Sequence, residues 1–355
     1  MKKRIAALIT ALTLMAATAL TGCSAVKSVA DEKTSSASSA GSTSSASGSE
    51  SGLTGGGGKK AEDLHIVYVT PLLASDVWLV SKEGFDDAAA EYGFTGDWVG
   101  PANIDVDSMI KQIEIAISEK ADGIITCGLN PEAMVGVMEK ADAAGIPVIL
   151  VNAGSGMEAP YFSYIGTDAE VLGQMAADAV MEKLGDTDPK VVYVGSTITN
   201  SSVVDSVNGY RSVFEKVDGY EELSLEENND DLQKSVDLWQ NLLTTYPDVN
   251  VAANVAPSGA IGAAQVAEEM GRLDGLTIMS MDDTEEVLDL IREGKVYGTM
   301  SQNYYRMGWQ AAQWICEYWE DGSRPEKIND SGTLFVNKDN VENFKDALRD
   351  RSKWS

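Results

Sequence analysis

From Leu64 to the end of the chain, short unbroken apolar runs alternate with longer stretches whose apolar residues recur at helical spacing. Ile66-Val67-Tyr68-Val69 reads as a strand, and the helix after it, running to about Tyr92, places Trp78, Phe85, Ala88 and Tyr92 on one face. Strands follow over Asp97–Gly100 and Asp122–Thr126 and within Ala144–Asn152. The helices between them cover Asp107–Lys120, with Ile110, Ile113 and Ile117 inward, and a segment opened by Asn130-Pro131-Glu132, a cap followed by proline at the first helical position. The second half continues with a helix over Ala169–Leu184, a strand over Lys190–Val194, a polar loop over Gly195–Ser206 and a helix. An acidic turn at Glu226–Asp231, a helix through Trp239–Leu243 and a strand over Val251–Asn254 come next, then a helix over Ala260–Gly271. After Gln302 the pattern predicts a helix over Tyr305–Glu320, a short strand at Phe335-Val336 and a last helix over Val341–Leu348. Strand–helix alternation with short connections predicts an α/β fold of doubly wound parallel sheets with right-handed crossovers.

The stretch Leu276–Gln302 carries the first chemical signal. Leu276–Met281 is a buried-type strand ending in Asp282-Asp283, Thr284–Lys295 is a helix with acidic residues in its first turn, and Val296–Ser301 is a strand ending at Gln302. In an open α/β sheet, ligands sit beyond the carboxyl ends of the strands, so Asp282 and Gln302 are placed to meet a small molecule.

Several segments carry a family resemblance. Lys82-Glu83-Gly84-Phe85, Asp122-Gly123-Ile124-Ile125, Ala144–Ile149 (AGIPVI), Ile165–Asp168 and the Gly173/Ala177 pair resemble corresponding stretches of type 1 periplasmic binding proteins, of which ribose-binding protein is the familiar example. Trp239–Leu243 and Tyr246–Val249 resemble that family's NLL…HPD segment. The resemblance spans nearly everything after residue 60. It implies two lobes joined by a three-strand hinge: residues 64–166 with 303–328, and 167–302 with 329–355. It also implies a ligand held between them by Ser75, Trp78, Asn152, Asn200, Asp230, Asn254, Pro257, Asp282 and Gln302. Trp78 is the aromatic expected to stack on a sugar ring, with a plain core residue as the alternative. Asn200 and Pro257 match positions used by binders of furanosyl signals such as autoinducer-2. Asp230 lies in a cluster that also reads as a solvated acidic helix start.

The chain departs from the sugar-binding pattern in one respect. Relatives carry Asp after the AGIPVI strand, often followed by Arg, where this chain has Asn152-Ala153; ahead of Gly209-Tyr210 it has Val204, Asp205 and Ser206 and no arginine. Amides and carboxylates without a cation suit an uncharged, polyhydroxylated ligand and disfavour phosphate or carboxylate groups.

Met1–Gly22 has a basic start, an apolar core and small residues before Cys23, which reads as an export signal. Leu20-Thr21-Gly22-Cys23 resembles a bacterial lipobox, which implies lipidation of Cys23 and a membrane anchor. Residues 23–60 are Ser/Gly-rich, expected not to fold, and as a flexible coil reach roughly 35 Å. Such a tether suits the outer face of a Gram-positive membrane.

Composition narrows the classes. Asp and Glu number 55 against 27 Lys and Arg, a surface that repels nucleic acid. The lone histidine, His65, leaves no Ser-His-Asp set away from itself and no His-rich metal site, and no G-x-S-x-G elbow appears. Cys127 and Cys316 read as small buried hydrophobes. No cofactor, metal ligand or catalytic residue is assigned. The expected function is a monomeric solute-binding protein that hands a monosaccharide or derivative to an ABC permease. The alternatives are a sensor presenting its ligand to a receptor kinase, and a secreted carbohydrate-active enzyme using Asp282 with Asp230. A LacI-type repressor would need a helix-turn-helix where this chain has its export signal.

Overall fold

The computed structural model describes residues 52–198 and 200–354. The export signal, Cys23 and the start of the polar stretch lie outside the described residues. The first lobe is laid down as β1 (His65–Val69), α1 (Asp76–Tyr92), β2 (Thr95–Val99), α2 (Val106–Ser118), β3 (Gly123–Thr126), α3 (Pro131–Ala143), β4 (Val148–Val151) and β5 (Ser163–Gly166). The second follows as α4 (Ala169–Leu184), β6 (Lys190–Gly195), α5 (Ser201–Phe214), β7 (Glu221–Glu227), α6 (Leu232–Thr245) and β8 (Val251–Val255). It is completed by α7 (Pro257–Glu269), β9 (Thr277–Met281), α8 (Glu285–Glu293) and β10 (Gly298–Gln302). The chain then returns through α9 (Tyr304–Asp321) and β11 (Ile328–Asp330) to the first lobe and ends with β12 (Thr333–Asn337) and α10 (Phe344–Arg349).

Two 6-stranded sheets result, ordered β11-β5-β4-β3-β1-β2 and β12-β10-β9-β8-β6-β7. Every pairing is parallel except β10 with β12. The strands read as continuous apolar runs because helices cover both faces of each sheet. In the second sheet, for example, Val192, Val194 and Ile278 pack with Trp239 and α7, whereas Tyr193, Met279 and Met300 pack with Tyr210 and Phe214. Cys127 and Cys316 are buried and unpaired to each other.

The lobes are joined at three crossings that bind one another. Ser331 N–H donates to Gly166 O at 2.9 Å, Thr167 and Ser331 hydroxyls lie 3.2 Å apart, and Asn303 N–H donates to Gly332 O at 3.2 Å. Strand directions at all three are thereby fixed together.

Four details differ from the sequence expectation. β11 pairs with β5, so residues 328–330 belong to the first sheet and the third crossing falls at Ser331-Gly332. The Glu-rich segment Glu221–Glu227 forms the edge strand β7, whose partly exposed faces tolerate charge. The loop after β6 is shorter than expected, because α5 begins at Ser201. Finally, the end of the polar stretch packs on the first lobe: Leu53 is 7% exposed, Lys59 Nζ lies 4.1 Å from the Trp319 ring centre, and Lys59 N–H donates to Trp319 O at 2.9 Å. Glycine makes this possible at residue 56, where a Cβ would stand 2.5 Å from the Tyr318 ring.

Candidate functional site

Two strand ends set the geometry. Just past β4, Asn152 has φ 63, and just past β9, Asp282 has φ 63. Asn and Asp are the side-chain-bearing residues that best tolerate the left-handed region, and the turn swings each side chain off its strand toward the junction of the lobes. Asn152 is fixed by its own backbone: its N–H donates to Ile165 O at 3.0 Å and its carbonyl accepts from Tyr164 OH at 3.0 Å. Asp282 is fixed likewise, its N–H donating to Met300 O at 2.9 Å and its carbonyl accepting from Thr299 Oγ1 at 2.6 Å.

Gln302, the last residue of β10, joins the two. Asn152 Nδ2 donates to Gln302 Oε1 at 3.3 Å, and Gln302 Nε2 donates to Asp282 Oδ1 at 2.8 Å. Asn152 Nδ2 also lies 3.2 Å from Tyr304 OH, and the Tyr304 ring meets Trp78 edge-on at 5.5 Å. A continuous line of donors and acceptors therefore runs from the first sheet through a crossing to the second, with an aromatic pair against its first-lobe end. Trp78 is 7% exposed and packs in the first-lobe core, in line with its core reading.

Burial raises the Asp282 carboxyl to about 6; the bond from Gln302 opposes this, and the carboxylates of Asp283 and Asp230 add to it. Asp283 is raised too, chiefly by burial. The phenol of Tyr304 is held well above its ordinary range by burial first and the Asp282 charge second. Beside this line lies a recess of about 330 Å³, solvent at its mouth included, walled by Val77, Val80, Asp283, Gln302, Tyr304 and Lys345 among others.

The remaining expected residues divide. Ser75, Asn200, Asp230 and Pro257 all follow the carboxyl ends of strands, β1, β6, β7 and β8 respectively. Ser75 makes no capping bond with its side chain and is half-buried. Asn200 caps α5, accepting from Ser202 N–H at 2.9 Å. Asp230 is exposed and accepts from Ser258 Oγ at 2.6 Å. Asn254 departs from expectation: at 1% exposure it accepts from Trp239 Nε1 at 3.2 Å and donates to the carbonyls of Ala252 and Met279. Its amide is spent inside the second lobe, because it lies within β8 and points under α7.

Sequence reasoning did not single out Tyr304, which joins the line at Asn152, or Asn228 and Ser258, which hold the Asp230 loop. Fully buried Asn228 donates to Ser235 and Ser258 at 2.7 and 3.0 Å and accepts from Asp230 N–H at 2.9 Å, so it braces the loop that carries Asp230. Tyr304 could have been found from its place directly after Gln302 and Asn303; Asn228 carries no comparable signal.

A sequence profile described as "Periplasmic binding protein domain" matches residues 66–323. The chain is 23% identical over 246 residues to the D-allose-binding periplasmic protein of Escherichia coli (strain K12), covering 66% of this chain and 78% of that one. Its fold is similar to a periplasmic ribose ABC transporter protein from Conexibacter woesei (TM-score 0.76, 24% identity, 82% of this chain and 97% of that one). It is also similar to a solute-binding protein from Burkholderia graminis in complex with D-arabinose (TM-score 0.72, 23% identity, 80% and 99%).

Proposed function

This chain belongs to the periplasmic binding protein family, and from that premise we propose that it captures a neutral sugar or sugar-like solute between its lobes and delivers it to an ABC permease. The observation that carries the proposal is the line Asn152–Gln302–Asp282, which puts an amide, an amide and a carboxylate from two lobes and a crossing within hydrogen-bond reach of one another. Such groups pair with hydroxyls as donors and acceptors in turn, and each one left unpaired on burial costs about 1–3 kcal/mol. The Trp78–Tyr304 pair supplies the apolar face that a sugar ring needs. Rotation about the three crossings would open the lobes to admit a ligand and return them to the arrangement in which this line is assembled.

The full proposal includes an export signal over residues 1–22, a lipid on Cys23 and work at the outer face of a membrane. It assigns no catalysis: sugars incubated with the protein should be recovered unchanged. A thermal-shift screen against monosaccharides, polyols and furanosyl signals tests the ligand class, followed by calorimetry on the hits. A stabilising sugar supports the proposal; no response from any hydroxylated solute overturns it.

A further inference from the structure

The segment after β12 belongs to both lobes. Val341 and Phe344, the latter 2% exposed, sit in the second-lobe core, whereas Trp354 packs against the first-lobe core. Between them α10 ends at Arg349, and a short turn over Arg351–Lys353 follows, capped by Asp350, which accepts from Ser352 N–H at 3.2 Å.

Along this path the chain grips α1 and α9 of the first lobe. Arg349 pairs with Glu83, and Arg351 Nη1 pairs with Glu91 at 2.6 Å while its guanidinium lies 4.4 Å from the Trp309 ring centre. Trp354 meets Trp309 edge-on at 5.4 Å and Tyr305 at 6.1 Å, with the Arg306 guanidinium 5.4 Å from its ring. The Leu348 carbonyl accepts from Trp354 Nε1 at 3.0 Å and from Asn303 Nδ2 at 2.9 Å, which ties the segment to the crossing that follows Gln302.

Single-chain crossings bend easily, since a few φ/ψ changes suffice for a hinge. A fourth connection that spans Glu83 to Glu91 along α1 restricts the same rotation, because any change of lobe angle must slide or break these contacts. Each exposed ion pair or cation–π contact is weak alone, but here they act together on one motion. In the arrangement they hold, Asn152 of the first lobe reaches Gln302, and Gln302 reaches Asp282 of the second. We infer that residues 344–354 form a strap that sets the lobe angle at which the site is assembled, so that affinity depends on residues that touch no ligand. Releasing the strap lowers the binding-competent fraction, and apparent affinity falls by that fraction.

The test places spin labels at Lys111→Cys on α2 and Glu215→Cys at the end of α5, in a Cys23→Ser background. Cys127 and Cys316 are fully buried and stay unlabelled. Pulsed electron-resonance distances are measured without ligand, and affinity for the sugar found in the screen is measured by calorimetry. A chain ending at Arg349 and the Trp354→Ala variant should both broaden the distance distribution and weaken binding about fivefold, while Trp354→Phe keeps both near wild type. Should the shortened chain fail to fold by circular dichroism, Trp354→Ala decides alone. Unchanged distances and affinity on loss of Trp354 overturn the strap. Absence of any sugar ligand overturns the proposed function instead, and the ligand-free distances still decide the strap.

Discussion

Two asparagines near strand ends do opposite jobs in this protein. Asn152 stands one residue past β4, in the left-handed region, with its amide at the junction of the lobes. Asn254 stands inside β8, and its amide serves Trp239 and two strand carbonyls in the second-lobe core. The residue type is the same and the distance from the strand end differs by about two positions. Since side chains alternate across a strand, a residue inside β8 is bound to one face of its sheet, whereas Asn152, one residue past β4, takes a left-handed turn while its N–H still bonds Ile165 of β5. A polar residue reaches the junction at the end of its strand, as Gln302 does, or just past it, as Asn152 and Asp282 do, whereas Asn254, one residue before the end of β8, stays in the core.

Substitutions can break or sharpen that contrast. The largest effect expected is from Asn254→Ala, which strips Trp239 of its acceptor and should lower unfolding stability by about 2–3 kcal/mol, with the ligand affinity of the folded protein unchanged. Denaturant unfolding followed by calorimetry checks this, and an affinity loss without destabilisation would move Asn254 into the site. Next come Asp282→Ala and Gln302→Ala, each expected to weaken binding about 10- to 100-fold at nearly unchanged stability. If both variants bind normally in a titration, the line of side chains is not the grip. Asn152→Ala should cost about tenfold in affinity, since Gln302 and Tyr304 retain other partners or solvent.

The smallest effect is in pH. The Asp282 carboxyl sits near 6 in the folded protein, above the ordinary value of 3.8, so between those values the folded state holds the extra proton. Stability should therefore fall as pH rises through about 6, by roughly 1 kcal/mol once solvent access to this half-buried group is allowed for. Asp282→Asn should flatten that slope. An identical pH dependence in thermal melts of the two proteins would refute the assignment.

Much of this was legible in the sequence. The apolar runs marked the inner strands β1, β3, β4, β6, β8, β9 and β10 because strands covered on both faces need no alternation to be seen, and Asp282 and Gln302 declared themselves by ending such runs. What could not be read were properties of contact rather than pattern. The direction of Asn254 turns on a single residue of register. β7 hid behind its glutamates because an edge strand need not be apolar. Residues 52–60 looked like free tether, yet Leu53 and Lys59 find partners on a surface assembled from distant segments. The strap after β12 escaped for the same reason: Trp354 has meaning only beside Trp309 and Tyr305.

The most direct test of the central claim is a crystal structure of the protein soaked with the sugar selected by the thermal-shift screen. The account predicts density for that sugar between the lobes, its hydroxyls within hydrogen-bond distance of Asn152, Gln302 and Asp282, with Asn254 still bonded to Trp239. A sugar bound on another surface, or one that reaches Asn254 and leaves Asp282 untouched, would contradict it.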